Sequence, residues 1–177
     1  RQCQPDDHRL TRVGLSGGVF KKGRVLSAAD VALLSASGVS KVFAARLGPE
    51  DVPEDAAARA LAARICGAGA SAQEPFTGRA NLYSKAHGLV VVDSARVNTL
   101  NRIHESITFA TVAGFSLVEQ RQMIATVKII PFAVLRQVLD AALAAVAGEP
   151  LVRVEALKAR RVGLVITRLP RSKASLL

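Results

Sequence analysis

The sequence predicts an α/β or α+β fold, in which a mixed sheet is flanked by helices. Stretches with the spacing of strands alternate along the chain with stretches of helical spacing, which is the arrangement of α and β elements in such folds. Half of the 177 residues are hydrophobic, so the chain can bury a sizeable core. Much of that half is Ala, Val and Leu, and only 4% of the residues are aromatic, which predicts a core of small aliphatic side chains.

The first third of the chain predicts a helix between two strands. Residues 19–26 fit a short strand followed by a turn. Ser27 is a favourable N-cap and Asp30 stands in the first turn, so a helix is expected to begin at Ser27. Gly38 is expected to end this helix, since glycine readily takes the left-handed conformation after a last turn. Residues 39–45 then predict a strand.

A second helix is predicted to begin within residues 49–53, where prolines and acidic residues cluster as in a first turn. Leu61 and Ile65 are spaced i, i+4 and define its apolar face. The glycines from Gly67 onward are expected to end it. Residues 70–80 predict a loop.

The middle of the chain predicts three strands and one helix. Residues 89–92 are continuously apolar, as in a strand covered on both faces. Asp93 or the serine after it is expected to cap a helix. Residues 107–112 alternate as a strand does, and residues 123–130 form another apolar strand that Pro131 closes.

The clearest helix is predicted over residues 132–147, where Leu139 and Leu143 belong to an apolar stripe of helical spacing. Residues 151–156 and 161–167 predict two further strands. The second of these resembles the first strand of a doubly wound domain, which normally leads into a ligand-binding loop. We therefore expect the chain to end just inside a second, truncated domain.

This pattern predicts three regions. Residues 1–16 are polar and aperiodic, and are expected to form a loose N-terminal segment. Residues 17–158 are expected to form an α/β accessory domain. Residues 159–177 are expected to be the start of the truncated domain.

The net charge of +10 favours anionic partners such as phosphate esters. The low aromatic content argues against a nucleic-acid partner, because sequence-tolerant binders of single strands stack bases on aromatic rings. Cys3 and Cys66 are far apart and have neither metal-ligand nor disulfide-framework spacing, which fits a reducing cytoplasm. No apolar run approaches the length of a membrane span, so a soluble cytoplasmic protein is expected.

Two segments resemble the molybdopterin molybdenumtransferase family. Residues 22–39 (KGRVLSAADVALLSASGV) are similar to the turn, short helix and strand that precede the molybdopterin-binding domain of that family. Residues 161–167 resemble the first strand of that binding domain. Four further stretches resemble a bacterial subgroup described as molybdopterin-binding: PFTGRANL (75–82), GLVVVD (88–93), LNR (100–102) and ATVKIIPF (125–132).

This resemblance spans residues 17–173 and implies a role in molybdenum-cofactor biosynthesis, with molybdopterin as the cofactor. Two departures argue against an enzyme. The Ser-Ala-Met-Asp-Gly-Tyr-Ala element of the family is absent, and Thr167 is followed by Arg168 instead of the family's Gly-Asp-Glu. We therefore expect an accessory or structural domain that does not insert molybdenum by itself.

The best candidate ligand loop lies within residues 77–81. Gly78 lets the backbone approach a ligand, Arg79 can pair bidentately with a phosphate, and Asn81 can both donate and accept hydrogen bonds. Lys128 interrupts an apolar strand and can add a positive charge. The alternative interpretation is an ordinary polar turn beside a solvated lysine.

No catalytic residue and no metal site is predicted, because the three histidines are scattered and no Cys-x-x-Cys spacing exists. The preferred hypothesis is a molybdopterin-binding-type accessory domain that takes an anionic pterin phosphate. Two alternatives stay open: a basic nucleic-acid-binding module, and a subunit-assembly domain that forms a homo-oligomer without a ligand.

Overall fold

A computed structural model describes residues 13–15, 18–20, 26–42 and 44–165. Four helices lie in these residues: α1 (Ala28–Ala36), α2 (Glu54–Ile65), α3 (Ser94–Asn101) and α4 (Arg136–Ala145). The strands of the same residues are β1 (Val13–Leu15), β2 (Gly18–Phe20), β3 (Asp51–Pro53), β4 (Ala70–Ala72), β5 (Arg79–Ser84), β6 (Gly88–Val92), β7 (Ile107–Thr111), β8 (Leu117–Val118), β9 (Met123–Ile129), β10 (Ala133–Leu135) and β11 (Val152–Ala156).

The strands form a four-stranded sheet in the order β4-β5-β9-β7 and a three-stranded sheet in the order β11-β6-β8. Two strand pairs, β1–β2 and β3–β10, complete the described part of the fold. Every pairing between these strands is antiparallel, and an isolated parallel bridge joins Cys66 to Val152. The predicted fold class, sheet with flanking helices, is confirmed.

The core lies between helix α2 and one face of the four-stranded sheet, where α2 packs against β5 and β9. Leu61 and Ile65 of the helix are fully buried, as their i, i+4 spacing predicts, and so are Leu82 and Val127 of the sheet. Residues along β5 are alternately buried and more exposed. One face of the sheet therefore packs on the core, and the other presents polar side chains to solvent.

Helix α1 begins and ends where the sequence predicts. The Ser27 hydroxyl accepts a hydrogen bond from the Asp30 N–H at 3.1 Å, and the Asp30 carboxylate accepts one from the Ser27 N–H at 2.9 Å. This reciprocal pair is a capping box. Gly38 follows the helix with a φ of +77°. Local chemistry is thus sufficient to fix both ends of this helix.

Two helices are shorter than predicted, because part of each predicted helix forms a strand instead. Residues 51–53 pair with residues 133–135, so that α2 begins only at Glu54 and α4 only at Arg136. The pairing provides hydrogen-bond partners for backbone N–H and C=O groups of both segments. This long-range interaction outweighs the local helical spacing that extended both predictions.

Three other predictions are wrong in the described residues. The predicted loop at 70–80 contains β4 and the start of β5. The predicted strand at 39–45 is not a strand at the positions described. The loose segment predicted for residues 1–16 includes β1, while residues 1–12 lie outside the described part.

The expected terminal strand is also absent from residues 161–165. Val162 is 86% exposed and has no neighbouring strand in the described part of the chain. A strand without a partner leaves its backbone N–H and C=O groups unpaired. The apolar pattern of residues 161–165 therefore does not by itself produce a strand. Residues 166 and 167 lie outside the described residues.

The free edge of strand β7 is covered by a side chain. The amide oxygen of Asn101 accepts a hydrogen bond from the Phe109 N–H at 2.8 Å, and its amide nitrogen donates one to the Phe109 carbonyl at 2.9 Å. Phe109 itself is buried in the core. Asn101 thereby ties the end of α3 to the edge of the sheet.

The longest helix in the described residues has 12 residues, and none there has the length and hydrophobicity of a membrane span.

Candidate anion-binding site

The predicted ligand loop is a tight hairpin turn. Phe76 and Arg79 exchange two backbone hydrogen bonds, of 3.0 Å and 3.2 Å between nitrogen and oxygen. Between them Thr77 has a φ of +50° and Gly78 a φ of +72°. Two consecutive left-handed residues are typical of the type I′ turn, which matches the twist of the strands it joins. The turn sets Phe76 and Arg79 directly opposite each other.

The backbone of Gly78 is bonded to the protein on both sides. Its N–H donates to the Asp55 carboxylate at 2.8 Å, and its carbonyl accepts from the Ile129 N–H at 2.7 Å. Gly78 is also buried. The N–H that a ligand would use is therefore already engaged, and the structure assigns Gly78 to holding the turn.

Replacing Gly78 by alanine is expected to lower the free energy of unfolding by about 2 kcal/mol. The residue has a positive φ, and an added Cβ would lie 2.6 Å from the Ile129 carbonyl oxygen. Urea unfolding followed by circular dichroism measures this change. An alanine variant as stable as the wild type would show that the turn adapts without cost.

Arg79 and Lys128 lie opposite each other on neighbouring strands. The register of β5 and β9 pairs the two residues, and both are exposed on the outer face of the four-stranded sheet. Opposite residues of an antiparallel pair have Cβ atoms about 4.5–5.5 Å apart. Within the described residues neither side chain forms an ion pair or a hydrogen bond. The structure thus brings together two cations that the sequence places far apart.

Asn81 lies on the same face, two residues along β5 from Arg79. Its amide oxygen accepts a hydrogen bond from the Thr126 hydroxyl at 2.9 Å. Because the oxygen is held by this bond, the amide nitrogen can be offered to a ligand as a donor. Three of the four predicted residues therefore share one face of the sheet.

Phe76 extends the same row and was not singled out from the sequence. Its ring is 75% exposed and it is paired with Arg79 across the hairpin. Glu74, two residues before Phe76, accepts a hydrogen bond from the Arg59 guanidinium. This bond lowers the pKa of the Glu74 carboxyl and pairs its charge with Arg59. The row formed by Phe76, Arg79 and Lys128 consequently combines an apolar ring with two cations.

The histidines and the cysteine of the described part lie outside this face of the sheet. The only histidines there lie apart: His87 contacts Glu119 at 2.8 Å and His104 contacts Ser106 at 2.8 Å. No three His, Cys, Asp or Glu side chains of that part are grouped as metal ligands. Burial raises the pKa of the Cys66 thiol, so the protonated, weakly nucleophilic form is favoured.

No family model, no curated protein and no solved structure matches this chain.

Proposed function

We propose that the chain is a molybdopterin-binding-type accessory domain in molybdenum-cofactor biosynthesis, and that the outer face of the four-stranded sheet binds the phosphate of the pterin. The main support is the placement of Arg79 directly opposite Lys128, with no acidic partner for either among the described residues. The identity of the ligand comes from the sequence resemblance alone. The accessory role is proposed because residues 22–39 resemble the segment that precedes the molybdopterin-binding domain of that family.

The chemistry of this face suits a phosphate. Like charges that face each other on neighbouring strands repel, so a bound anion between Arg79 and Lys128 relieves an unfavourable interaction. The planar guanidinium of Arg79 can make two parallel hydrogen bonds to phosphate oxygens, and Lys128 adds a compact charge. The amide nitrogen of Asn81 supplies a further donor.

The same face can accommodate a planar ring. Phe76 is paired with Arg79 and its ring is largely exposed to solvent. Aromatic rings attract other planar groups in offset-stacked arrangements. In this arrangement the pterin lies over Phe76 while its phosphate reaches Arg79 and Lys128.

Replacing Arg79 by alanine is expected to weaken molybdopterin binding about tenfold or more, because a hydrogen bond to a charged group contributes about 1.5–3 kcal/mol. The stability of the protein should change little, since the side chain is exposed. Calorimetric titration of wild type and variant with molybdopterin measures the affinity, and thermal unfolding measures the stability.

Arg64→Ala is the matched control, because it removes the same charge from an exposed position on α2. It should leave the affinity unchanged. Equal affinities of wild type and Arg79→Ala would contradict the proposal, and a loss of stability in Arg79→Ala would make Arg79 structural. Binding of single-stranded DNA that weakens steeply with salt would favour the nucleic-acid-binding alternative instead.

A further inference from the structure

The outer face of the four-stranded sheet ends in an open cavity at the far end of β5. Its volume is about 710 Å³, within the range of small-molecule sites. The side chains relevant to binding come from three segments of the chain: Ser71, Gln73, Tyr83, Lys85, Gln120 and Arg121. The cavity is therefore formed by the tertiary fold and is not a feature of one loop.

The lining of this cavity is basic. Lys85 and Arg121 both contribute to it, and no acidic residue lines it in the described part of the chain. Neither cation forms an ion pair or a side-chain hydrogen bond with another described residue. Polar hydroxyl and amide groups surround them. Two unpaired cations in a concave site favour an anionic ligand.

Backbone hydrogen bonds fix the main chain at both basic residues. The Lys85 N–H donates to the Gly69 carbonyl at 2.8 Å, and the Arg121 N–H donates to the Ser84 carbonyl at 2.8 Å. Arg121 has a φ of +70°, a conformation that favours glycine over a residue with a Cβ. The backbone at this position is thus better suited to glycine than to arginine.

Tyr83 supplies the apolar part of the cavity. It is half-buried and follows Arg79 and Asn81 on the outer face at alternate positions of β5. The ring lines the cavity and is partly exposed. Such a ring is a good stacking surface for a planar group.

We infer that this cavity binds a phosphate ester that carries a planar ring, with the phosphate between Lys85 and Arg121 and the ring against Tyr83. The site is distinct from the one at Arg79, because Tyr83 lies four positions further along the extended strand, a distance of about 13 Å. The inference does not depend on molybdopterin being the ligand of the first site.

Adenosine 5′-monophosphate is a suitable probe, since it combines both groups. Wild-type protein should bind it at least tenfold more tightly than it binds inorganic phosphate or adenosine in calorimetric titrations. Arg121→Gly should weaken this binding tenfold or more, as expected for the loss of one charge-assisted hydrogen bond. The melting temperature should stay the same or rise, because glycine suits the local backbone.

Two further variants separate the cavity from other surfaces. Tyr83→Leu should weaken binding of the nucleotide and leave the affinity for inorganic phosphate unchanged. Arg64→Ala removes a charge from an exposed position on α2 and should bind the nucleotide as the wild type does. The two sites are tested through different residues, Arg79 for the first and Arg121 for the cavity, so failure of one is distinguishable from failure of the other.

The inference is overturned if wild type does not bind the nucleotide at millimolar concentration, or if Arg121→Gly binds it with wild-type affinity. A loss in Arg64→Ala equal to that in Arg121→Gly would also overturn it, because binding would then depend on net charge and not on the cavity. Adenosine binding as tightly as the nucleotide would exclude a phosphate subsite.

Discussion

Replacing Gly69 by alanine is expected to lower the free energy of unfolding by about 2–5 kcal/mol. Gly69 has a φ of +70°, and an added Cβ would lie 2.1 Å from the carbonyl oxygen of Val154. That oxygen belongs to the backbone of β11 and cannot rotate away as a side chain could. The chain after α2 would have to separate from β11, where the Val154 N–H donates to the Ala68 carbonyl at 2.9 Å.

Gly148→Ala is the matched control for this prediction. Gly148 has a φ of +91°, but no atom lies within 4 Å of the position of an added Cβ. In the control, the positive φ alone should lower the free energy of unfolding, by about 1–2 kcal/mol, because the added Cβ meets no other atom. Urea unfolding of both variants measures the difference. Equal losses would show that β11 moves aside freely, contrary to the close packing described.

The second large effect is expected at Phe109, which is 2% exposed and among the largest fully buried side chains of the described residues. Replacing it by alanine should lower the free energy of unfolding by about 3–5 kcal/mol, the cost of a large cavity in a packed core. The small aliphatic residues around it cannot fill a space of that size. Denaturant unfolding of wild type and variant, fitted with one shared m-value, measures the change in the free energy of unfolding.

Phe115→Ala removes the same atoms from a ring that is 75% exposed. Its effect should be within about 0.5 kcal/mol, as is usual for surface positions. A loss at Phe115 as large as that at Phe109 would mean that the exposed ring is covered in solution. A small loss at Phe109 would contradict its place in the core.

Local sequence signals predicted parts of the fold well and long-range pairing poorly. Helix α1 is determined by Ser27, Asp30 and the glycine that follows it, all within one short segment. Strand β4 is Ala-Ser-Ala, a sequence with little intrinsic preference for a strand. It forms because β5 pairs with it, and the partner of a strand is not visible in the strand's own sequence.

The candidate site shows the same division. Arg79, Asn81 and Lys128 were selected for their chemistry, and the register of β5 and β9 is what places them on one face. Nothing in the sequence indicates that the N–H of Gly78 is hydrogen-bonded to the Asp55 carboxylate. The alternation of Arg79, Asn81 and Tyr83 along β5 was the available signal for an exposed polar face, but residues 70–80 were interpreted as a loop. The cavity residues Lys85 and Arg121 are far apart in the sequence, and the hydrogen bond from the Arg121 N–H to the Ser84 carbonyl brings their segments together only in the folded structure.

The two hydrogen bonds of Asn101 also bear on how this protein can associate with itself. An unprotected edge strand invites another chain to extend the sheet, which is a common start of aggregation and of continuous sheets across subunits. The amide of Asn101 occupies the outward N–H and C=O of Phe109, as one residue of an additional strand would. Another chain would have to displace this amide before it could pair along the middle of β7. Self-association through that edge is therefore disfavoured.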